Sequence, residues 1–269
     1  AACAADRAGG AASRPERPDV LLATTTSFQD SGLLDVLVAD FERATGYRIR
    51  ATAVGSGAAI ALGARGDADV VFAHSREAEE RFMAAGHGER RLLVMHNDFV
   101  IVGPAADPAG IKGDRALEAV RAIAAARATF VSRGDESGTH VFERGLWQQA
   151  GIAPSGDWYL EAATGMGQTL QIASEKSAYA LTDRGTYLAR RATVALAVLV
   201  ERDPPLVNPY HVMTVSAARF PRVNAAGANA FADYLVSPQT QGLIAAFGVD
   251  RYGEPLFVAD AGKQLEELR

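Results

Sequence analysis

The segment Val20-Leu21-Leu22-Ala23-Thr24-Thr25-Thr26-Ser27 decides how this chain is read. Residues 20–23 form an apolar run of strand length. The next four residues carry hydroxyls, and beyond them Leu33, Leu34, Val36, Leu37, Val38 and Phe41 recur at helical spacing. A strand that hands over to a helix in this way sets hydroxyls beside backbone N–H groups that have no intrahelical partner, at the positive end of the helix dipole. Such a cluster suits an anion. It also suits a helix cap, for which one Ser or Thr is enough. Taken alone, the segment leaves both readings open.

Working outward, strands are expected near 47–54, 69–73 and 97–103, with helices near 31–45, 58–64 and 77–85. Alternation of this kind predicts a mostly parallel α/β sheet. A middle block then carries its own units: helices near 116–126, 139–150 and 167–175, and extended segments near 129–131, 158–162, 177–181 and 196–200. A second long strand is expected near 208–216, followed by helices near 222–235 and 240–247. Two long strands bracketing a middle block predict two α/β lobes joined by two crossing strands. The expected lobes are 19–101 with 213–269, and 102–212.

The chain has 269 residues, enough for one large or two moderate domains. Its net charge of −5 argues against a nucleic-acid or membrane-surface partner but not against a small anion, whose site is set locally. No apolar run reaches bilayer length, and the longest candidate, 194–200, is strand-sized. One cysteine, Cys3, excludes an internal disulfide and disfavours a Cys-based metal site. It sits in a Gly/Ala/Arg/Pro-rich segment, residues 1–18, expected to be a disordered tether. The start of the chain resembles the end of a bacterial lipoprotein signal, in which Cys3 would carry the lipid.

Four loops share one chemical character. Residues 24–27 bring hydroxyls; Gly55-Ser56-Gly57 brings a hydroxyl and unhindered amides. Residues 132–140 bring Arg133, Ser137 and Thr139, and Gly165-Met166-Gly167 brings bare amides. Each adjoins a strand and precedes a helix, the place where open α/β sheets bind ligands. Arg133 adds a permanent charge in a fork that matches oxyanions. Rival motifs are weaker. Gly55-Ser56-Gly57 lacks the third glycine of a dinucleotide loop, since Ile60 stands there, and no P-loop pattern occurs. Ser132, Asp135 and His140 are the residue types of a hydrolase triad, but on one short turn they rarely reach its geometry. The five histidines have no H-x-x-x-H pair, so no zinc site is expected. Asp135 is read as an orienter of Arg133 or a helix cap, and Trp147, Trp158 and Tyr159 as packing residues.

The segments Thr24-Thr25-Thr26-Ser27, Val54-Gly55-Ser56-Gly57-Ala58, Ser132-Arg133-Gly134-Asp135-Glu136-Ser137-Gly138-Thr139-His140, Gly165-Met166-Gly167 and Leu181-Thr182-Asp183-Arg184-Gly185-Thr186-Tyr187 together closely resemble the tungstate-binding components of bacterial ABC importers, the TupA type. The likeness spans about residues 20–257. Glu161-Ala162-Ala163-Thr164 and His211 depart from the family pattern as read here. The resemblance implies an α/β, two-lobed periplasmic binding protein, type II-like, with two crossing hinge strands that closes around one oxyanion. It implies a periplasmic or extracytoplasmic solute receptor, monomeric and not an enzyme, without a cofactor or a bound metal cation, that delivers tungstate, or molybdate, to an ABC permease. The expected oxyanion ligands are Thr24, Thr25, Thr26, Ser27, Ser56, Arg133, Ser137, Thr139, Gly165, Met166 and Gly167, with Thr24 and Thr25 foremost in the hydroxyl run. The alternatives are a phosphate or sulfate receptor, an anion-sensing domain and, behind them, a serine hydrolase using Ser56 or Ser137.

Overall fold

A computed structural model describes residues 15–135 and 137–268. The chain opens with β1 (Asp19–Thr25), α1 (Thr26–Asp30), α2 (Leu33–Thr45), β2 (Arg48–Val54), α3 (Ser56–Arg65), β3 (Val70–Ala73), α4 (Arg76–Ala84) and β4 (Gly88–Gly103). The middle block holds α5 (Ala116–Ala125), β5 (Phe130–Ser132), α6 (Gly138–Gln149), β6 (Tyr159–Glu161), α7 (Met166–Glu175), β7 (Ala180–Asp183), α8 (Arg184–Arg190) and β8 (Ala197–Val200). The return runs through β9 (Val207–Val215), α9 (Ala225–Leu235), α10 (Pro238–Ala246), α11 (Val249–Tyr252) and β10 (Val258–Ala259). No described helix is long and apolar enough to cross a membrane.

The first sheet has the order β10-β4-β9-β3-β1-β2. It is mixed, which corrects the expectation of a mostly parallel sheet. Only β2, β1 and β3 run parallel; β9, β4 and β10 are joined by antiparallel ladders. The reason is the length of β4. Its 16 residues begin well before the stretch read as a strand, so the outgoing and returning chains zip together from Gly88 to Asp98. From Phe99 onward β4 pairs instead with β7 and β8. The change of partner falls between Asp98 and Phe99, three residues before the expected boundary, and all of β9 stays in the first sheet. β5 and β6 form a separate parallel pair, linked to the chain before β7 by a Phe130–Tyr179 bridge.

Each lobe has its own apolar interior. Phe28, Phe41, Phe72, Tyr210 and Phe231 fill the first, and Phe130, Trp147, Trp158 and Tyr179 the second. Trp147 and Trp158 are therefore packing residues, as read, and meet edge to face with centroids 5.9 Å apart.

Two corrections concern segment ends. Residues 15–18 are held rather than loose: Pro18 O accepts from Arg48 N at 2.7 Å, and Arg17 Nη2 donates to Arg222 O at 2.7 Å. The rest of the expected tether, with Cys3, lies outside the described residues. The second half of the hydroxyl run is helix rather than loop: Thr26 and Ser27 begin α1, which Thr25 caps by accepting from Phe28 N.

Buried Asp69 stitches the first lobe. Its two oxygens accept from Leu21 N (2.7 Å) and from Asn224 N (2.6 Å), and Asn224 in turn caps α9 and donates to Arg17 O and Asp19 O. Removing the carboxylate strands one buried and one partly buried N–H group, each worth about 1–3 kcal/mol when fully buried. Asp69→Ala should lower unfolding free energy by about 3 kcal/mol in urea denaturation. A loss below about 1 kcal/mol would mean that water replaces the carboxylate.

Candidate functional site

Between the lobes lies a cleft of about 540 Å³. The ends of β1, β2, β3, β5 and β7 open onto it, and so do the starts of α1, α3, α6, α7 and α8. Ten of the eleven expected ligands line it: Thr25, Thr26, Ser27, Ser56, Arg133, Ser137, Thr139, Gly165, Met166 and Gly167. Thr24 does not. Its side chain is fully buried and donates to Phe72 O at 3.0 Å, tying β1 to β3. Alternation along a strand sends consecutive side chains to opposite faces, so Thr24 and Thr25 could not both reach one cleft from β1.

The choice between cap and donor dissolves in the geometry. Thr25 Oγ1 accepts from Phe28 N at 3.4 Å, and Ser137 Oγ accepts from His140 N at 3.3 Å. A hydroxyl that accepts through a lone pair still has its proton to give. Thr26 and Ser27 are exposed to the cleft in the first turn of α1.

Gly55 and Gly165 sit at the caps of α3 and α7, and neither helix has a side-chain cap bond. Both glycines have ordinary extended geometry, φ −66° and −63°, and a Cβ on either would meet nothing within 4 Å. Neither backbone strain nor packing calls for glycine here. What a side chain would do is cover the unpaired first-turn amides on the cleft side.

Arg133 follows β5, whose end is anchored by buried Glu143 of α6. That carboxylate accepts from Ser132 Oγ (2.9 Å), Trp147 Nε1 (3.1 Å) and Tyr159 Oη (2.7 Å). Burial pushes its pKa above the usual carboxyl value, against the lowering effect of the three donors. Asp135 orients Arg133, as read, by accepting from Arg133 Nε at 2.7 Å; its other oxygen accepts from Ser137 N at 3.1 Å, but the cap of α6 is Ser137 itself and not Asp135.

Sequence reading missed several cleft residues. Asn97, Asn208 and Tyr210 come from β4 and β9, where they read as strand. His74 follows β3; its Nε2 lies 3.2 Å from Ser27 Oγ and its Nδ1 3.1 Å from Asn208 Oδ1. Arg190 ends α8 and packs its guanidinium where a Cβ on Gly167 would stand, at 2.9 Å from Nε. None of these carries a local signal, although an arginine closing a helix that opens at the cleft could have been noticed. Asp183 also lines the cleft, but its two oxygens are occupied by Thr186 N and Thr186 Oγ1. His211, which departs from the family pattern, is outside the cleft lining, paired with buried Glu79 at 2.9 Å.

Gly165→Ala should leave the fold intact or stiffen it by about 0.4–1 kcal/mol, because the site tolerates alanine geometry. A methyl intruding on a fitted contact costs about 1–3 kcal/mol, so anion affinity should fall between about fivefold and 150-fold. An unchanged melting temperature with unchanged calorimetric affinity would remove the Gly165 backbone from the site.

Comparison with known proteins agrees with this architecture. The PBP superfamily domain matches residues 12–239. The chain is 45% identical over 247 residues to the tungstate-binding protein TupA of Peptoclostridium acidaminophilum, covering 91% of this chain and 86% of that one. It is 45% identical over 249 residues to a putative ABC transporter anion-binding protein of Haloferax volcanii, covering 90% of this chain and 72% of that one. The solved tungstate-binding protein TupA of Desulfovibrio alaskensis G20 superposes with a TM-score of 0.84 at 44% identity, covering 91% of this chain and 99% of that one. This chain belongs to the PBP superfamily and, within it, to the family of the TupA proteins.

Proposed function

We propose that this protein is an extracytoplasmic solute-binding protein that captures tungstate, with molybdate as the second candidate, between its lobes and delivers it to an ABC permease. The observation that carries the reading is the convergence of hydroxyls and uncapped helix amides from both lobes on one cleft, with Arg133 among them. Tungstate at neutral pH is an unprotonated dianion, so all four of its oxygens only accept hydrogen bonds. A matched site offers donors throughout. Two of the carboxylates in and beside this cleft, Asp135 and Asp183, fit that requirement because donors of the protein itself occupy them, and Asp30 also lines it. Hydrogen phosphate carries a proton and wants an acceptor, which favours tungstate, molybdate or sulfate over it. Size then has to separate the first two from sulfate.

The ligand would act as a clasp. Thr25, Thr26 and Ser27 belong to the first lobe, and Arg133, Ser137 and Thr139 to the second. Only a closed form makes both sets of contacts, so binding favours closure. The protein works in this reading as a monomer without a cofactor or catalysis; Ser137 caps α6 by accepting from His140 N and keeps its proton for the ligand. Cys3 is the candidate point of lipid attachment to the outer face of the cytoplasmic membrane.

Two measurements test the reading. A thermal-shift series with tungstate, molybdate, sulfate and phosphate should show the largest rise with tungstate, since a ligand bound only by the native state stabilises it by mass action. No shift with any of the four would overturn the proposal. Arg133→Ala should keep the native melting temperature and lose about 2–5 kcal/mol of binding, about 30-fold or more in affinity. Unchanged calorimetric affinity would exclude Arg133.

A further inference from the structure

The hydrogen-bond chain behind Ser27 has a direction. Asn208 Nδ2 donates to Asn97 Oδ1 at 2.7 Å, which turns Asn208 Oδ1 toward His74 Nδ1, 3.1 Å away. A carbonyl oxygen only accepts, so Nδ1 of His74 carries a proton. In the neutral ring Nε2 is then a bare acceptor, and its neighbour at 3.2 Å is Ser27 Oγ. Ser27 Oγ has a second neighbour, Thr25 Oγ1 at 3.3 Å, which has a proton of its own to give, whereas a bare Nε2 has none; the one proton of Ser27 therefore goes to His74. The serine then turns lone pairs to the cleft, where an unprotonated oxyanion needs a donor.

The surroundings of the ring keep it neutral when no anion is bound. Burial lowers the His74 pKa from its ordinary value, outweighing the raising effects of the Asn208 hydrogen bond and of the carboxylates Glu79 on α4 and Asp183 before α8. Tyr210 of β9 stacks on the ring at 4.5 Å, and a Cβ on Gly138, the first residue of α6, would stand 3.5 Å from its Cε1. The N-terminus of α6 therefore also disfavours a positive ring. Arg133 and Arg190 line the same cleft, as does Asp30. A dianion arriving here reverses the balance, because it favours positive charge beside it.

We propose that His74 is the positioning residue that makes Ser27 a donor to the bound oxyanion, by taking up one proton from solvent as the anion enters. The incoming proton forms one N–H bond at Nε2, and no covalent bond breaks. Nε2–H then donates to Ser27 Oγ, and the hydroxyl of Ser27 turns its own proton to an oxyanion oxygen. The imidazolium adds one positive charge opposite a ligand of charge −2. This inference rests on the oxyanion reading of the cleft and adds to it a dependence on pH.

The sign follows from linkage. The His74 pKa is lowered in the free protein and raised in the complex. Between those two values binding takes up a proton, so affinity falls as pH rises, by up to about tenfold per pH unit. Below the lower value the ring is charged in both states, and above the upper value it is neutral in both. Affinity is flat in each of those ranges.

The test is isothermal titration of the whole chain with tungstate between about pH 5 and pH 9, a range that spans histidine titration, in pairs of buffers with different heats of ionisation. The wild type should show a falling affinity and a net proton uptake approaching one. His74→Gln should lose the uptake and show a flat profile. A merely structural role for His74 would lower affinity equally at every pH and leave the uptake in place, which would overturn the proposal. Ser27→Ala should bind more weakly with reduced uptake; undiminished uptake would mean that His74 responds to the field of the anion alone and would overturn the link through Ser27. The wild-type measurement decides the matter even where a variant folds poorly: tight binding with a flat profile and no uptake overturns this inference alone. Absence of tungstate binding at every pH overturns the oxyanion reading as well.

Discussion

The two halves of this molecule hang on one hydrogen-bonded strand. β4 gives its first eleven residues to a ladder with β9 and its last five to β7 and β8. Because backbone groups must be paired wherever they are buried, the switch of partner cannot drift along the strand without breaking ladders on both sides. Arg184 pins the switch from the side. Its Nε and Nη2 reach the two oxygens of Asp98 at 2.7 and 2.6 Å, and Nη2 also reaches Glu201 at 2.6 Å. Glu254, from the returning C-terminal segment, completes the surroundings at 3.9 Å. Arg184 is charged at any pH, and these carboxylates hold it so more firmly. The arginine begins α8 of the middle block, so the same contact that fixes the strand fixes a wall of the cleft.

With the lobes set this way, the cleft is made almost wholly of chain ends. Strands finish there and helices start there, and each helix start leaves backbone donors without internal partners. Some helices meet that need with hydroxyl caps, Thr25 and Ser137, while α3 and α7 use glycine and leave it unmet. The unmet donors are the chemical content of the site. Of its carboxylates, Asp135 and Asp183 are bonded within the protein and Asp30 also lines it, while Arg133 and Arg190 bring cations to the same cleft.

The rest of the polar interior serves position rather than chemistry. Glu143 joins α6 to β5 and β6 beneath Arg133; Asp69 joins β1 to the cap of α9; Glu79 gathers Arg91, His211 and the start of α4. Each is a carboxylate whose oxygens are met by several donors, which is what makes burial of a charge tolerable. Glu143 and Glu79 lie behind loops that line the cleft, whereas Asp69 fastens the far ends of β1 and β3.

The sequence by itself determined most of the element types, though not α1, α11 or β10, together with the α/β class, the two-lobed plan and the loops that carry the donors. Those features rest on local regularities: apolar periodicity, glycine at helix starts, and hydroxyls where a strand meets a helix. Ten of the eleven residues singled out do stand at the cleft, because loops at strand ends all point one way in such a fold. Tertiary structure alone decided the rest. Thr24 turned out to be a rivet between β1 and β3, a matter of which face one residue presents. The early start of β4 and the mixed sheet depended on pairing between segments more than a hundred residues apart, to which periodicity is blind. Asn97, Asn208, Tyr210 and His74 became one hydrogen-bond chain behind Ser27 only when β3, β4 and β9 came together. Which proton a serine can offer is set by that chain, and no stretch of the sequence contains it.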